Sequence, residues 1–254
     1  MKVIPRIIPC LLLTKHGLYK TKGFKNRKYV GDIINAIKIF NDKGVDEIII
    51  LDIDATQNNY SIDFSAIQQM ASECFVPLAY GGGVTDLSQV DKLIKLGIEK
   101  IVIGSAAHTK PQMISDIARV YGSQSVIVSI DVKQDLFGKY SVVYKSGNIR
   151  TSVSPLDFAR QVVDLGAGEL VLQNVTRDGT RKGYDIALIK QIADSIAVPV
   201  IALGGAGSID DLRLGLQVGR ASAVAAGSLF VFHGKHEAVL ITYPSQQELL
   251  ILQS

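Results

Sequence analysis

Short runs of branched apolar residues alternate along the chain with segments in which apolar residues recur at helical spacing. Runs that are almost entirely Ile, Val and Leu predict strands buried on both faces, as in a parallel sheet. The strand candidates are residues 7–13, 47–53, 77–80, 100–103, 125–131, 169–174, 198–202 and 221–225. The helical candidates lie near 32–43, 64–73, 86–96, 110–121, 155–165, 185–196 and 208–218. Eight strand–helix units predict an α/β fold, either a closed (β/α)8 barrel or a doubly wound open sheet.

A repeat with an offset of 122 positions decides between these two folds. Pro77-Leu-Ala-Tyr-Gly-Gly-Gly-Val resembles Pro199-Val-Ile-Ala-Leu-Gly-Gly-Ala, and Gly44-Val-Asp-Glu-Ile-Ile-Ile-Leu resembles Gly166-Ala-Gly-Glu-Leu-Val-Leu-Gln. Two halves of four units each close into a barrel with approximate twofold symmetry, whereas an open sheet would not explain the duplication. We therefore predict one (β/α)8 TIM barrel domain over residues 1–254, with half-barrels of about 1–122 and 123–254.

The composition fits a protein with a large buried core. Of the 254 residues, 47% are apolar and 20% are charged, so intrinsic disorder is not expected. The net charge of +3 is too balanced to indicate nucleic-acid binding. No apolar run reaches the roughly 18 residues of a membrane helix, and residues 1–13 do not resemble a signal peptide. We expect a soluble cytoplasmic protein. Cys10 and Cys74 have no metal-ligand spacing, and neither a metal nor a cofactor is predicted.

Two segments are much longer than ordinary barrel loops. Residues 14–31 follow the first strand and are rich in lysine, and residues 134–154 follow the fifth strand and predict a small hairpin around Ser146-Gly-Asn. Both segments would lie on the C-terminal face of a barrel, where active sites are found. Long loops there often act as mobile lids, but a basic run is just as often a solvated surface. Spacing alone leaves both interpretations open.

Glycine-rich turns follow strands at equivalent positions in the two halves. Gly81-Gly82-Gly83 and Gly204-Gly205 each close a strand, and Gly104-Ser105 and Gly227-Ser228 close the next one. Small residues at such turns let backbone N–H groups approach an anion, and the following helix adds its positive dipole end. The pattern predicts two phosphate sites on opposite sides of one barrel mouth, which we call the first and second cradles. The implied ligand carries a phosphate at each end.

Carboxylates also stand at predicted strand ends, where a polar side chain faces ligand more often than structure. Asp52 and Asp54 end the second strand, Asp131 ends the fifth, and Asp178 follows the sixth. The apolar run before Asp131 predicts a low-dielectric setting, which raises the pKa of a carboxyl toward general acid/base use. Asp178 fits a structural role better, because Arg177-Asp-Gly-Thr has the composition of a turn.

Four charged residues begin predicted strands at the opposite pole, and they are Arg6, Glu47, Lys100 and Glu169. Two acids and two bases at strand starts can form an ionic ring at the bottom of a barrel. For an arbitrary barrel the simpler interpretation, strand capping and solubility, would be favoured.

A set of motifs occurs in a fixed order along the chain. The motifs are Arg6-Ile-Ile-Pro-Cys-Leu, Phe24-Lys-Asn, Leu51-Asp-Ile, Gly81-Gly-Gly, Gly122-Ser-Gln, Ile130-Asp, Arg177-Asp-Gly-Thr-Arg-Lys-Gly-Tyr-Asp and Gly204-Gly-Ala-Gly. From about residue 4 to residue 232, this arrangement resembles the cyclase subunit (HisF-type) of imidazole glycerol phosphate synthase. The resemblance implies a lyase-type barrel and a glutaminase (HisH-like) partner that docks at the N-terminal face and releases ammonia. The ammonia crosses the barrel to a bisphosphate substrate at the C-terminal face.

The resemblance also implies roles for single residues. The phosphate contacts of one half would be Gly83, Gly104 and Ser105, and those of the other half Asp178, Gly179, Gly205, Gly227 and Ser228. Lys20 matches the lysine of the first loop that contacts substrate. The gate of the ammonia channel would be Arg6, Glu47, Lys100 and Glu169. This implied role displaces the simpler interpretation of the ring.

The departures from the family pattern lie at the mouth. The family uses two aspartates as acid and base, one ending strand one and one ending strand five. Asp131 matches the second, but Leu12 stands where the first belongs, and leucine transfers no proton. Gly104, Gln173 and Asn174 also replace the usual residues. This combination resembles the paralogous branch (the AglZ/WbuZ type) that serves sugar acetamidino modification in surface-polysaccharide and lipopolysaccharide biosynthesis, alongside a separate sugar amidotransferase.

Three hypotheses follow. The first is an ammonia-channelling barrel with altered mouth chemistry. The second is an authentic cyclase of histidine biosynthesis in which another group, such as Asp52, replaces the missing acid. The third is a non-catalytic scaffold that activates the glutaminase. In all three the partner is a protein or a phosphorylated small molecule, not a nucleic acid or a membrane.

Overall fold

A closed barrel of parallel strands forms the centre of the molecule in a computed structural model that describes residues 4–58, 60–135 and 137–253. Within these residues the barrel has eight strands. They are β1 Arg6–Thr14, β2 Ile48–Asp52, β3 Leu78–Gly81, β4 Lys100–Ile103, β5 Val126–Gln134, β6 Glu169–Asn174, β7 Val200–Leu203 and β8 Ala223–Ala226. Each strand pairs in parallel with the next, and β8 pairs with β1. The predicted (β/α)8 barrel is confirmed, because an open sheet would leave β1 and β8 unpaired.

Helices follow the strands on the outside of the barrel. Their bounds are α1 Ile33–Asp42, α2 Ala55–Asn58, α3 Phe64–Glu73, α4 Leu87–Lys95, α5 Ala106–Thr109, α6 Gln112–Tyr121, α7 Pro155–Asp164, α8 Ile186–Ala193, α9 Ile209–Gln217, α10 Ser228–Val231 and α11 Gln246–Gln253. A short 3-10 helix covers Ser123–Ser125. Polar residues placed just before the helices start them: Ser208, for example, forms a capping box with Asp211, which satisfies N–H groups that have no partner inside the helix. No helix within the described ranges is long and apolar enough to cross a membrane.

The two long segments on the C-terminal face are both antiparallel extensions of the barrel. The first hairpin consists of Gly17–Lys22 and Lys25–Gly31, and its first strand pairs with β1. The second hairpin pairs Tyr140–Tyr144 with Ile149–Arg150, which confirms the turn predicted around Ser146. Its first strand also pairs with β5. The expected end of β5 at Asp131 was therefore wrong: pairing with the second hairpin extends this strand to Gln134.

The core is divided into two parts by the barrel wall. Side chains that point outward from the strands pack against the apolar faces of the helices and form the larger part. Side chains that point inward form a smaller cluster on the barrel axis, and this cluster includes Ile8, Cys10, Ile49, Val102 and Val171. The axis is therefore lined by apolar groups between a charged layer at the strand starts and a polar mouth at the strand ends. Inward positions recur every second residue along a strand.

Candidate functional site

The four charged residues at the strand starts contact one another across the barrel axis. Arg6 forms ion pairs with both Glu47 and Glu169. Lys100 Nζ lies 2.9 Å from Glu47 Oε2 and 3.1 Å from Glu169 Oε2. Only 2% of Glu47 and 5% of Glu169 is exposed. Since each buried carboxylate contacts two cations, the four side chains form a closed ionic ring with zero net charge. Glu47, expected to begin a strand, lies directly before β2.

The first cradle lies in a cavity of about 140 Å³ on the barrel mouth. Its lining brings together six predicted positions, Leu12, Asp52, Gly83, Gly104, Ser105 and Asp131. The second hairpin reaches this cavity, because Lys145 N donates to Ser105 Oγ over 3.1 Å. Arg27 of the first hairpin also lines it. Both long segments therefore contribute to the rim of the cavity. The sequence alone could not decide whether they act as lids or form a solvated surface.

The second cradle lies in a smaller cavity of about 30 Å³. Its predicted lining residues are Lys20, Asp178, Gly179, Gly204, Gly205, Gly227 and Ser228. Lys20 Nζ points into this space and donates to Cys10 O over 2.5 Å. Burial lowers the pKa of Lys20, while Cys10 and Asp178 oppose that shift. A buried ammonium group in a glycine-lined cavity is suited to contact a phosphate.

Asp131 points inward from β5 and lies in the first cavity. Burial raises its pKa to about 7, and nearby Asp178 raises it as well, while a hydrogen bond from Ser129 Oγ at 3.3 Å acts in the opposite direction. A carboxyl with a pKa near neutrality can both accept and donate a proton at physiological pH. The predicted low-dielectric setting of Asp131 is present. Its role in a reaction stays a prediction.

Asp178 joins the first hairpin to the end of β6. Its Oδ2 accepts hydrogen bonds from Thr21 Oγ1 at 2.9 Å and from the Phe24 backbone N–H at 3.4 Å. Its Oδ1 accepts from Gln173 Nε2 at 3.2 Å. The carboxylate therefore both borders the second cavity and holds the first hairpin down over the mouth, which agrees with the structural role inferred from its turn composition.

Asp52 and Asp54 have different partners although they are two residues apart. Asp52 Oδ1 accepts from the backbone N–H groups of Asp54 and Ala55, each at 2.9 Å, and so starts α2. Burial raises the pKa of Asp52, and these two hydrogen bonds oppose the shift. Asp54 forms an ion pair of 2.5 Å with Arg27. Oδ1 of Asp52 therefore has a structural role, although the residue still borders the first cavity.

The glycines of the cradles serve different purposes. Gly205 has φ +117°, and an added Cβ would lie 2.2 Å from the Gly183 carbonyl oxygen, so chain packing itself requires glycine there. An added Cβ on Gly104 would meet no heavy atom within 4 Å. Gly104 is thus free of that packing constraint, and a larger side chain at this position has room to project.

The helix ends around the cradles differ in their capping. In the helices after the glycine runs, α4 and α9, the side chains of Asp86 and Ser208 accept from the backbone N–H groups of Gln89 and Asp211. The expected dipole contribution at those turns stays a prediction. The N-cap residues of the short helices α5 and α10 are Ser105 and Gly227, and neither forms a side-chain cap.

Sequence reasoning missed several residues of the mouth. Thr21 and Ser129 were not singled out, although Ser129 precedes Asp131 by two positions on a strand and therefore points to the same side. Lys133, two positions after Asp131 on the same strand, points to that side for the same reason. Thr21 had no local signal, because its partner Asp178 is distant in the chain.

Comparison with known proteins agrees with this arrangement. Residues 6–237 match the family model described as "Histidine biosynthesis protein". The chain is 50% identical over 244 residues to the "Putative imidazole glycerol phosphate synthase subunit hisF2" of Pseudomonas aeruginosa, covering 96% of this chain and 97% of that protein. It is 39% identical over 231 residues to the "Imidazole glycerol phosphate synthase subunit HisF" of Alkaliphilus metalliredigens, covering 91% of this chain and 92% of that protein.

Proposed function

Because the chain belongs to the histidine biosynthesis protein family and is a HisF-like cyclase subunit of the imidazole glycerol phosphate synthase type, we propose that it receives ammonia at the strand starts and uses it at the mouth. The ammonia comes from a glutaminase subunit, and the acceptor is a phosphate-bearing small molecule. Leu12 makes this chain a paralogue whose product serves sugar acetamidino modification in surface-polysaccharide synthesis, with a separate sugar amidotransferase.

The strand-start pole has the features of a docking face. Two large apolar side chains are exposed on this face: Phe75, in the turn before β3, is 82% exposed, and Ile4, just before β1, is 65% exposed. Burial of such groups by a partner protein would stabilise a complex. The proposed occupant of this face is the glutaminase.

The interior supports transport of a neutral molecule. Above the ring, the side chains on the barrel axis are apolar. An apolar environment penalises ammonium strongly and ammonia little. Passage requires the ring to open, and the exchange of one ion-pair partner for another among Arg6, Lys100, Glu47 and Glu169 is the motion that this geometry offers.

Leu12 is the observation that carries the altered chemistry. It lies at the end of β1, borders both cavities and pairs in register with Leu51, so this part of the mouth is apolar. Asp131 is then left as the carboxyl on the axis side of the first cavity that has a pKa near 7. Loss of one positioned acid or base typically costs about 10²–10⁴ in rate, so a substrate that needs both would be turned over poorly.

The main alternative is an authentic cyclase of histidine biosynthesis. It is favoured by Asp52, whose carboxyl borders the same cavity as Asp131 and whose pKa burial raises. In this alternative Asp52 supplies the second proton transfer. A scaffold that only activates the glutaminase is the third possibility, and it needs no chemistry at the mouth.

One assay separates the authentic cyclase from the other two functions. The purified chain is incubated with a glutaminase of the same organism and the bisphosphate aminoimidazole precursor, with ammonium salt replacing glutamine in a parallel series. We expect stimulation of the glutaminase without ring closure. Ring closure with ammonium would overturn the paralogue and scaffold functions and support the cyclase. A Leu12→Asp variant is the matched probe: we expect it to gain cyclase activity if the cradles hold this precursor.

A further inference from the structure

Three cations lie at the mouth outside the ion pairs found there. Lys25 belongs to the first hairpin, Lys133 to the end of β5 and Arg150 to the second hairpin. Among the described residues, the ion pairs of the first hairpin involve Lys22, Arg27 and Lys28 instead. Within that part of the chain, none of the three cations has a carboxylate oxygen within 4.0 Å. We call Lys25, Lys133 and Arg150 the cation triad.

Strand register places two members of the triad on the same face as Asp131. Asp131 pairs with Val143, and Val143 pairs with Arg150. Directly opposite residues of neighbouring strands share a face, so Arg150 projects on the side of Asp131. Lys133 follows Asp131 by two positions and shares that side as well.

The third member comes from the first hairpin, which packs against the second. Lys133 Nζ donates to Gly147 O over 2.6 Å, so it reaches the turn of the second hairpin. An added Cβ at Gly147 would lie 3.6 Å from the Phe24 ring, so this turn also touches the first hairpin at the residue before Lys25. The two hairpins therefore meet at the edge of the first cavity, whose lining includes Phe24 and Ser146, and Lys25 adjoins Phe24 in the chain.

The charges of the triad repel one another. Burial lowers the pKa of Lys133, and the charges of Lys25 and Arg150 lower it further, while Asp131 acts in the opposite direction. Asp131 compensates poorly, because burial raises its own pKa to about 7. Like charges held together without a counter-charge destabilise the unliganded protein, and they create the positive potential that attracts an anion.

We propose that the cation triad is a third anion site, separate from the two cradles, which binds a phosphate or carboxylate group of the substrate close to Asp131. The inference rests on the proposed function in placing a substrate at this pole. It adds that the substrate has an acidic group near its reacting centre, besides the phosphates at its ends.

The first test measures binding of inorganic pyrophosphate by calorimetry. We compare the wild type with Lys25→Gln/Arg150→Gln and with Lys22→Gln/Lys28→Gln, a control that removes two charges from the first hairpin. Lys22 and Lys28 both contact Glu237, and Lys22 lies opposite Lys25 in the first hairpin. Loss of two charged hydrogen-bond donors weakens binding at least about tenfold, whereas the control stays within about twofold because Glu237 already engages both of its ammonium groups. Equal affinities of the two double variants, or no binding to the wild type, would overturn the third site.

A cradle variant separates this inference from the proposed function. Gly104→Val fills open space in the first cavity and leaves the triad unchanged. If Gly104→Val abolishes pyrophosphate binding and the triad variant does not weaken it, the cradle stands and the third site is wrong. If the triad variant weakens binding and Gly104→Val does not, the third site stands and the phosphate-bearing substrate of the proposed function loses its support.

The second test measures thermal stability. If the triad only held the hairpins together, removing its charges would lower the midpoint of unfolding, whereas the proposal expects the midpoint to rise. At low ionic strength, Lys25→Gln/Arg150→Gln relieves repulsion and raises the midpoint of thermal unfolding by about 1–2 °C. Lys22→Gln/Lys28→Gln breaks ion pairs with Glu237 and does not raise it. A lower midpoint for Lys25→Gln/Arg150→Gln would show that these cations hold the hairpins together, and it would overturn the proposal.

Discussion

The two poles of the barrel axis both carry charged side chains, but only one of them is internally balanced. At the strand starts, two cations and two carboxylates contact each other in a closed ring. At the mouth, the triad has no carboxylate within ion-pair distance among the described residues, and Lys20 donates to a carbonyl oxygen. At the first pole the cations and carboxylates neutralise one another. At the second pole the cations of the triad remain available to a bound anion.

Under the proposed function, this difference corresponds to two roles. The balanced ring would close the strand-start pole and would open only when its ion pairs exchange. At the mouth, repulsion between like charges and burial of charged groups reduce the stability of the folded protein. A preorganised site commonly has this effect. The poles should therefore respond to substitution in opposite ways: damage to the ring should reduce stability, while damage to the mouth should reduce activity and spare stability.

The largest effect is expected at the mouth. Asp131→Asn keeps the shape of the side chain but cannot transfer a proton, so ammonium-dependent turnover of the substrate should fall by about 10²–10⁴. Initial rates measured with saturating ammonium check this, because they bypass the glutaminase. Asp116→Asn on the outer helix α6 is the control. Activity within twofold of the wild type would remove Asp131 from the chemistry.

The next effect is expected at the ring. Lys100→Leu leaves Glu47 and Glu169 with Arg6 as their shared cation, and breaking a buried ion pair costs about 3–5 kcal/mol. The free energy of unfolding in urea measures this loss. Lys95→Leu is the matched control, because Lys95 is 72% exposed in a surface pair with Asp91. If both variants lose the same stability, the ring is not a buried network in solution.

The same variant should also separate the two nitrogen sources. With Lys100→Leu, we expect glutamine-dependent turnover to fall while ammonium-dependent turnover at the mouth is retained. Unchanged use of glutamine would argue against a passage controlled by the ring.

The smallest effect is a change of stability with pH. The pKa of Asp131 is about 7 in the folded chain and its ordinary value is 3.8. A carboxyl whose pKa is raised by folding stabilises the folded state at pH values below its pKa in the unfolded chain. This contribution is lost as the pH rises through its pKa in the folded chain. Relative to Asp131→Asn, the wild type should therefore lose roughly 1–3 kcal/mol between pH 4 and 7. Thermal unfolding of both proteins across this range measures the difference. Parallel curves would mean that folding does not raise the pKa of Asp131.

Local patterns in the sequence determined the barrel. The runs at β4 and β6 begin with Lys100 and Glu169 and are continuously apolar over residues 101–103 and 170–172, and the structure has both strands at the predicted bounds. The offset repeat placed the glycine turns at equivalent positions in both halves, and these turns line the two cavities. The pattern is informative here because burial on both faces confines polar residues to the ends of these strands.

Tertiary contacts decided the rest. In the sequence, the first hairpin is a segment rich in lysine with no pattern that places it. In the structure it lies over the mouth, because Thr21 donates a hydrogen bond to Asp178, 157 positions away in the chain. β5 extends beyond Asp131 because the second hairpin pairs with it. The segment after Phe232 contains α11, which no local period indicated. Charge compensation is likewise not visible in a sequence. Lys100 contacts two carboxylates, whereas Lys133, within the described part of the chain, contacts a backbone carbonyl oxygen. The difference depends on which distant groups folding brings within a few ångströms.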